Sequence, residues 1–217
     1  LLHLLLPYFF YGIVYFSFLF ADRITAGAAI PTASGLVFGI NSDYKKGMDL
    51  ALLDFLVVAS VIEYLNYKYI NFWRQMAKQI NSQELTLFSL SLKKKYIASL
   101  CSILLLYSAL WLVLKQCIAL SPLMMKSAIL GGVGYMLFSI AILNAMILFS
   151  LSHPATILKS LAFGLAANLL VGYTLSHIVS IEYAAIGLIV GAALFAVRST
   201  QSVVKAIAQP DYAYFTA

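Results

Sequence analysis

Three acidic residues, Asp49, Asp54 and Glu63, interrupt one apolar stretch of the sequence. A carboxylate at the centre of a bilayer costs roughly 2.5 to 3.5 kcal/mol, so it normally faces a cavity or a partner. On a helix, Asp49 and Glu63 lie within about 40° of each other around the axis, whereas Asp54 lies on another face. Such acids would suit a polar translocation path or a proton site. The alternative is helix-end solvation for Asp49 and Glu63 and a hydrogen-bonded core acid for Asp54.

Two amides, Asn144 and Asn168, occur in the middle of later apolar stretches. They are further candidates for a transport path, but interhelical hydrogen bonds, worth about 0.6 kcal/mol on average, explain many such residues. Small residues recur nearby at the spacing of close helix contacts. These are Gly131, Gly132 and Gly134, then Gly164, Asn168 and Gly172, then Gly187 and Gly191. We therefore expect tight helix packing in the second half of the chain; the alternative is a hinge for rocking helices, which the spacing alone does not separate from static packing.

Motifs of catalysis are missing from the sequence, which has no phosphate loop with its Lys, no HExxH pair, no CxxC and no GxSxG elbow. We therefore predict no enzyme activity, no cofactor and no metal site. The net charge of +6 comes from residues scattered between apolar segments. In that position they set orientation and contact anionic headgroups, so membrane lipids are expected partners and nucleic acid is not.

The elements that must position these residues are membrane helices. Hydrophobic residues make up 63% of the chain, charged residues 10%, and the mean hydropathy is +0.94. A soluble domain of 217 residues could not bury that much apolar surface. The sequence predicts an all-α integral membrane domain over residues 1–217, a bundle of about six transmembrane helices. The predicted spans are residues 4–21, 47–65, 96–114, 125–150, 155–177 and 183–197.

A basic segment, residues 66–95, separates the second and third spans. Its apolar residues follow an i, i+3, i+4 rhythm between lysines and arginines, which predicts a surface amphipathic helix. With both termini in the cytoplasm, nine lysines and arginines lie inside and five outside. The positive-inside rule therefore predicts a multi-pass protein of the cytoplasmic (inner) membrane with that orientation.

The ordered residues also resemble a known family. The similarity is carried by Pro7-Tyr-Phe-Phe-Tyr-Gly12, Phe18-Leu-Phe-Ala-Asp22-Arg23-Ile24, Tyr44, Gly47-Met-Asp49-Leu-Ala-Leu-Leu53 and Glu63-Tyr64. These motifs resemble the Pel exopolysaccharide transporter family, a branch of the multidrug, oligosaccharidyl-lipid and polysaccharide flippase superfamily. The similarity covers most of residues 7 to 95, and beyond Lys95 only the number of helices agrees.

The resemblance implies a flippase that moves a polysaccharide or lipid-linked saccharide by alternating access between two six-helix lobes. This chain corresponds to the second lobe, so it is half-size or partial. It would pair with a second lobe or another membrane subunit, and with a cytoplasmic glycosyltransferase. A proton or sodium gradient would supply the energy, and the sequence does not select the ion.

The motif positions carried over are Asp22, Arg23, Asp49 and Asp54. The competing interpretation is a non-transporting scaffold or anchor subunit that docks a partner on residues 66–95. A polar cavity lined by Asp49, Asp54 or Asn144 would favour transport, and a closed apolar core would favour the scaffold.

Overall fold

The computed structural model describes residues 2–30, 39, 41–77, 85–117 and 121–208 of the chain. These residues form an all-α bundle, as the sequence predicts. The six helices are α1 (Leu2–Ala28), α2 (Ser42–Ala77), α3 (Leu85–Cys117), α4 (Pro122–Ser150), α5 (Pro154–Ile178) and α6 (Ala184–Ala208). A single turn of 3₁₀ helix, Ile181–Tyr183, leads into α6.

Five of the six described helices are long and apolar enough to cross a membrane. Their spans are Leu6–Ala28, Leu87–Val113, Pro122–Ser150, Pro154–Ile178 and Ile181–Ala208. The sixth helix, α2, contains the three acidic residues of the predicted span 47–65 and is not among the five. Its transmembrane placement stays a prediction. It is supported by packing along α4 and by the exposed side chains of Leu53, Leu56 and Val57.

The central helix of the bundle is α4. In its most apolar stretch 61% of the residues are buried, against 22% in α3. Helices α2 and α6 pack along α4, while α5 joins α6 to α1. Phe18, Phe55 and Phe195 meet Phe138 of α4 in one aromatic cluster. Some aromatic residues of the first span therefore pack against other helices, as Phe18 does, while others lie on the outer surface of the bundle, where Phe16 is 61% exposed.

The polar connections fix the ends of α2 and α4 beside each other. Ser121 is the N-cap of α4, where its hydroxyl oxygen accepts from the backbone N–H of Met124 at 3.3 Å. The same hydroxyl donates to Oδ2 of Asp43 in the first turn of α2 at 2.9 Å. Gly47 then lies against Ser127 and the carbonyl of Met124, and a β-carbon there would collide with both. This end of the bundle is therefore tightly packed.

The basic segment 66–95 differs from the predicted separate surface helix. Residues 66–77 are the last turns of α2 and residues 85–95 are the first turns of α3, whereas residues 78–84 lie outside the described part of the chain. The segment is amphipathic, as expected, because Tyr69 and Trp73 are buried while Lys68 and Arg74 are exposed. Trp73 packs edge-on against Phe88 of α3, 6.2 Å between centroids. This contact between the helices explains why the apolar face turns to α3 within a helical hairpin.

Both helices of this hairpin are longer than a bilayer needs. Helix α2 has 36 residues and α3 has 33. At 1.5 Å per residue they are about 54 and 50 Å long, against about 30 Å of hydrocarbon. If the predicted spans 47–65 and 96–114 occupy the hydrocarbon, the adjacent ends of α2 and α3 extend well into the headgroup region or beyond it.

The close helix packing predicted at the small residues of the later spans is confirmed where α5 meets α6. A β-carbon on Gly187 would lie 2.5 Å from the carbonyl oxygen of Asn168 and 2.6 Å from Cα of Gly172. One on Gly164 would lie 2.8 Å from the carbonyl oxygen of Gly191. Backbone meets backbone at both positions, so no side chain can move aside. The small residues set the distance between these helices.

Gly131, Gly132 and Gly134 of α4 do not behave alike. Gly131 lies against Met48, and a β-carbon on Gly134 would come within 2.7 Å of the Leu188 side chain. Gly132 has nothing within 4 Å of the position of its missing β-carbon. The predicted role in close helix packing therefore holds for Gly131 and Gly134 and is wrong for Gly132, because its face of α4 borders a cavity.

Candidate functional site

An arginine joins three helices near the end of α1. The guanidinium of Arg23 donates from Nη2 to Oδ1 of Asp49 in α2 at 2.8 Å and from Nη1 to the hydroxyl of Tyr135 in α4 at 3.1 Å. Nη1 also donates to the carbonyl of Leu19, one turn earlier in α1, at 3.2 Å. Nη1 lies 3.6 Å from Oδ1 of Asp22. We name Asp22, Arg23, Tyr44, Asp49 and Tyr135 the arginine cluster.

The two carboxylates of this cluster lie in different surroundings. The side chain of Asp49 is 50% exposed, whereas that of Asp22 is fully buried. Oδ2 of Asp22 accepts from the hydroxyl of Tyr44 at 3.4 Å, and among the described residues Oδ1 has no hydrogen-bond partner. A buried carboxylate needs a paired charge to offset its lost hydration, and Arg23 is its cation within the same part of the chain. The Asp22–Arg23 pair therefore holds the buried charge of the cluster.

A cavity of about 210 Å³ adjoins the arginine cluster. Its polar lining comes from Arg23, Asn41, Tyr44 and Lys45, and Ile181 closes another side. A guanidinium, an ammonium, an amide and a phenol supply many hydrogen-bond donors here. Asp49 does not line this cavity, and its carboxylate accepts from Arg23.

Asp54 lies in a separate cavity between α2, α3 and α4. The cavity measures about 190 Å³. Asp54 is 2% exposed, and within the described part of the chain no hydrogen bond reaches its carboxylate. The nearby hydroxyl of Tyr107 is engaged with the hydroxyl of Ser139 at 2.9 Å. The rest of the lining is mostly apolar or aromatic, with Ser108, Trp111, Ile129, Gly132, Val133 and Met136.

The alternative of a hydrogen-bonded core acid does not describe Asp54, because that residue has no hydrogen bond among the described residues. Glu63, by contrast, is exposed, in agreement with helix-end solvation. The division of the α2 acids between two faces is confirmed, since Asp49 and Glu63 are accessible and Asp54 is enclosed.

Asn144 makes the interhelical hydrogen bonds that the sequence led us to expect. Its Oδ1 accepts from the hydroxyl of Tyr96 in α3 at 2.7 Å. Its Nδ2 donates to the hydroxyls of Ser199 and Thr200 in α6 at 3.1 and 2.9 Å. The side chain is fully buried and lines none of the cavities described above. Asn144 therefore links α4 to α3 and α6 by hydrogen bonds.

Asn168 differs from this expectation. It is fully buried in α5, but neither Oδ1 nor Nδ2 of its side chain has a hydrogen-bond partner among the described residues. The glycines of α6 explain the difference, because Gly187 and Gly191 face Asn168 and offer no side-chain donor or acceptor. A hydrogen-bonding role for Asn168 is therefore wrong for the described residues, and its role in close packing is confirmed.

Sequence reasoning missed the hydroxyl groups that complete these sites. Tyr135 holds the arginine cluster together with Tyr44, which entered the sequence analysis only as part of the family resemblance, and Tyr107, bonded to Ser139, borders the Asp54 cavity. Tyrosine is common at membrane interfaces and in helix cores, so these residues gave no distinct signal. In the described residues, no three His, Cys, Asp or Glu side chains come together as metal ligands.

Comparisons of this chain with protein-family models, curated proteins and solved structures found no match. The resemblance to the Pel transporter family therefore rests on the residues quoted above and enters below as a proposal. The structure itself shows a bundle of helices, five of them long and apolar enough to cross a membrane, with two mostly apolar cavities that each contain a few polar side chains.

Proposed function

We propose that this chain is a six-helix lobe of a membrane transporter that moves a polysaccharide or lipid-linked saccharide by alternating access. The observation that carries the proposal is the carboxylate of Asp54, which lies at the wall of a cavity between three helices without a hydrogen bond in the described residues. An acid in a membrane helix that serves packing alone would be expected to have a partner there. The site suits a coupling ion, H⁺ or Na⁺.

The loose packing of α3 supports movement at this site. Tyr107, Ser108 and Trp111 of α3 form one wall of the cavity. Most of the apolar stretch of α3 is outside the core, with Leu105 71% exposed. A shift of α3 would break few contacts and would widen the cavity between α2 and α4. A saccharide, unlike the coupling ion, requires this widening, because ligand pockets usually measure about 300 to 1,000 Å³ and this cavity measures about 190 Å³.

The nature of the substrate rests on the resemblance alone. A second lobe, or another membrane subunit, would supply the other half of the substrate path in this proposal. The arginine cluster would then hold α1, α2 and α4 together at one end while α3 moves.

The test of transport is an isosteric substitution, Asp54→Asn. Membrane protein extracted from cells that express the chain, in which its second lobe would also be present, is reconstituted into liposomes that contain a fluorescent polyprenyl-diphosphate disaccharide, and dithionite bleaches the probe in the outer leaflet. We expect wild-type protein to flip the probe and Asp54→Asn to lose that activity while inserting normally. Glu63→Gln, at an exposed acid of the same helix, is the matched control and should flip the probe as wild type does. Normal flipping by Asp54→Asn would remove that carboxylate from the mechanism.

The scaffold alternative is favoured by a different observation, the length of the α2–α3 hairpin and its exposed lysines and arginines. Water access separates the two functions. In a chain whose Cys101 and Cys117 are replaced by Ser, Asp54→Cys should react with a membrane-impermeant maleimide, because a transporter opens its cavity. Ala51→Cys, in the closed contact with α4, should stay unlabelled. Equal protection of both cysteines would favour a closed scaffold.

A further inference from the structure

The structure has a third cavity, a groove between the basic ends of α2 and α3. It measures about 320 Å³. Lys68 and Tyr69 of α2 form one side, and Lys94, Lys95 and Ser99 of α3 form the other. Three lysines from two helices therefore line one concave site. We name it the lysine groove.

Aromatic rings orient two lysines of the groove, and among the described residues no carboxylate forms an ion pair with any of the three. Nζ of Lys68 lies 4.7 Å from the ring centroid of Tyr64, and Nζ of Lys95 lies 4.5 Å from that of Phe72. Such cation–π contacts orient an ammonium without cancelling its charge. The ion pairs found among the described residues involve Arg23 and Lys126, and none includes Lys68, Lys94 or Lys95. The groove is therefore a site of positive charge.

A buried donor beside the groove has no acceptor within the described residues. The side chain of Tyr69 is 2% exposed, and its hydroxyl makes no hydrogen bond in that part of the chain. Buried polar groups in proteins are nearly always paired. Ser99 and Ser102 already donate to carbonyls of their own helix, at 3.1 and 2.9 Å. The hydroxyl of Tyr69 is itself closed off from solvent, so the three lysines are the groups that can bind an anionic acceptor from outside the chain.

The surroundings of the groove select a lipid over a free anion. Lys94 and Lys95 come directly before the predicted span that begins at Tyr96, which places them at the level of headgroups. Farther along the same face of α3, Ala98 and Ser102 lead to Leu105, which is 71% exposed. A phosphate would lie among the ammonium groups, and an acyl chain would follow the exposed apolar face toward the bilayer centre.

We propose that the lysine groove is a specific binding site for the phosphate headgroup of an anionic phospholipid. Basic pockets between membrane helices bind such headgroups in other proteins. The site is independent of the transport proposal, because it lies on a different side of the α2–α3 pair and shares no lining residue with the Asp54 cavity. It would be equally present in a transporter and in a scaffold.

The test is native mass spectrometry of the full chain in detergent, titrated with dioleoylphosphatidylglycerol. We expect one tightly retained lipid for each chain, and no such retention of dioleoylphosphatidylcholine. The triple variant Lys68→Gln, Lys94→Gln, Lys95→Gln should lose it, with affinity falling on the order of fivefold for each lysine. A control triple, Lys93→Gln, Lys159→Gln, Lys205→Gln, has the same net charge, and its exposed lysines do not line the groove. It should bind as wild type does.

Two outcomes of these titrations would overturn the proposal. Equal loss in both triples would mean that general positive charge, and not the groove, attracts the lipid. Displacement of the lipid by millimolar inorganic phosphate would make the groove a site for a free anion. Unchanged helicity by circular dichroism shows that the groove triple is folded. If that variant does not fold, the single variants Lys68→Gln and Lys93→Gln provide the same comparison, and equal affinities would again overturn the proposal.

Discussion

Removal of the Arg23 charge should destabilise the bundle far more than removal of the carboxylate of Asp49, which is the carboxylate nearest to the guanidinium. The side chain of Arg23 is 16% exposed and that of Asp22 is fully buried, whereas Asp49 is 50% exposed. Breaking a buried pair by removing one partner costs about 3 to 5 kcal/mol, because an uncompensated charge is left behind. A pair with an accessible partner is worth about 0 to 1 kcal/mol. We therefore expect Arg23→Gln to cost about 3 to 5 kcal/mol, and Asp49→Asn at most about 1 kcal/mol.

The double variant Asp22→Asn, Arg23→Gln gives the decisive comparison. It removes both buried charges, and the amide oxygen introduced in place of the carboxylate can still accept from the hydroxyl of Tyr44. It should therefore be more stable than Arg23→Gln alone. The assay is unfolding of the purified chain in mixed micelles by sodium dodecyl sulfate, followed by circular dichroism. Equal costs of Arg23→Gln and Asp49→Asn, or no gain from the second substitution, would refute the assignment of the buried charge to the Asp22–Arg23 pair.

Two further predictions concern helix packing and use the same unfolding assay. Gly187→Ala should destabilise the chain by about 1 to 3 kcal/mol, since the new methyl meets backbone and the helices must separate. Gly12→Ala, which meets nothing within 4 Å, should instead be neutral or slightly stabilising, and equal effects would contradict the close contact. Asn144→Leu should cost about 1 to 2 kcal/mol through its lost interhelical bonds, and Tyr96→Phe about 0.6 kcal/mol. Normal stability of Asn144→Leu with loss of probe flipping would place that residue in the transport path.

The positions of the helices could be predicted because the signal is local. Each predicted span lies within one helix of the structure, apart from the single residue Tyr183 that precedes α6. An apolar run of about 20 residues satisfies its own backbone hydrogen bonds as a helix wherever it lies in a bilayer. The basic segment 66–95 is the instructive failure. Its periodicity indicated a helix with one apolar face, but the partner of that face was taken to be lipid. Trp73 instead meets Phe88, so the segment continues α2 and begins α3.

The sequence could predict individual residues of the candidate sites, but not which residues come together in one site. The period of the helix separates Asp54 from Asp49 and Glu63, and the structure agrees. The same rule cannot tell which helix lies opposite each acid. Arg23 is 26 residues from Asp49 and 112 from Tyr135 along the chain, and only their packing brings the three together. Asn144 and Asn168 looked equivalent in sequence, yet one faces hydroxyl groups and the other faces glycines.

Composition and periodicity within a single helix were enough to predict that this protein lies in a lipid bilayer, where its helices occur and which polar residues they contain. Packing between helices was needed to establish that Arg23 fastens three of them, that Asp54 is enclosed at a cavity, and that Lys68 meets Lys94 and Lys95 across a groove. The difference arises because a helix fixes the face on which a side chain lies, whereas the neighbour on that face comes from a segment distant in the chain.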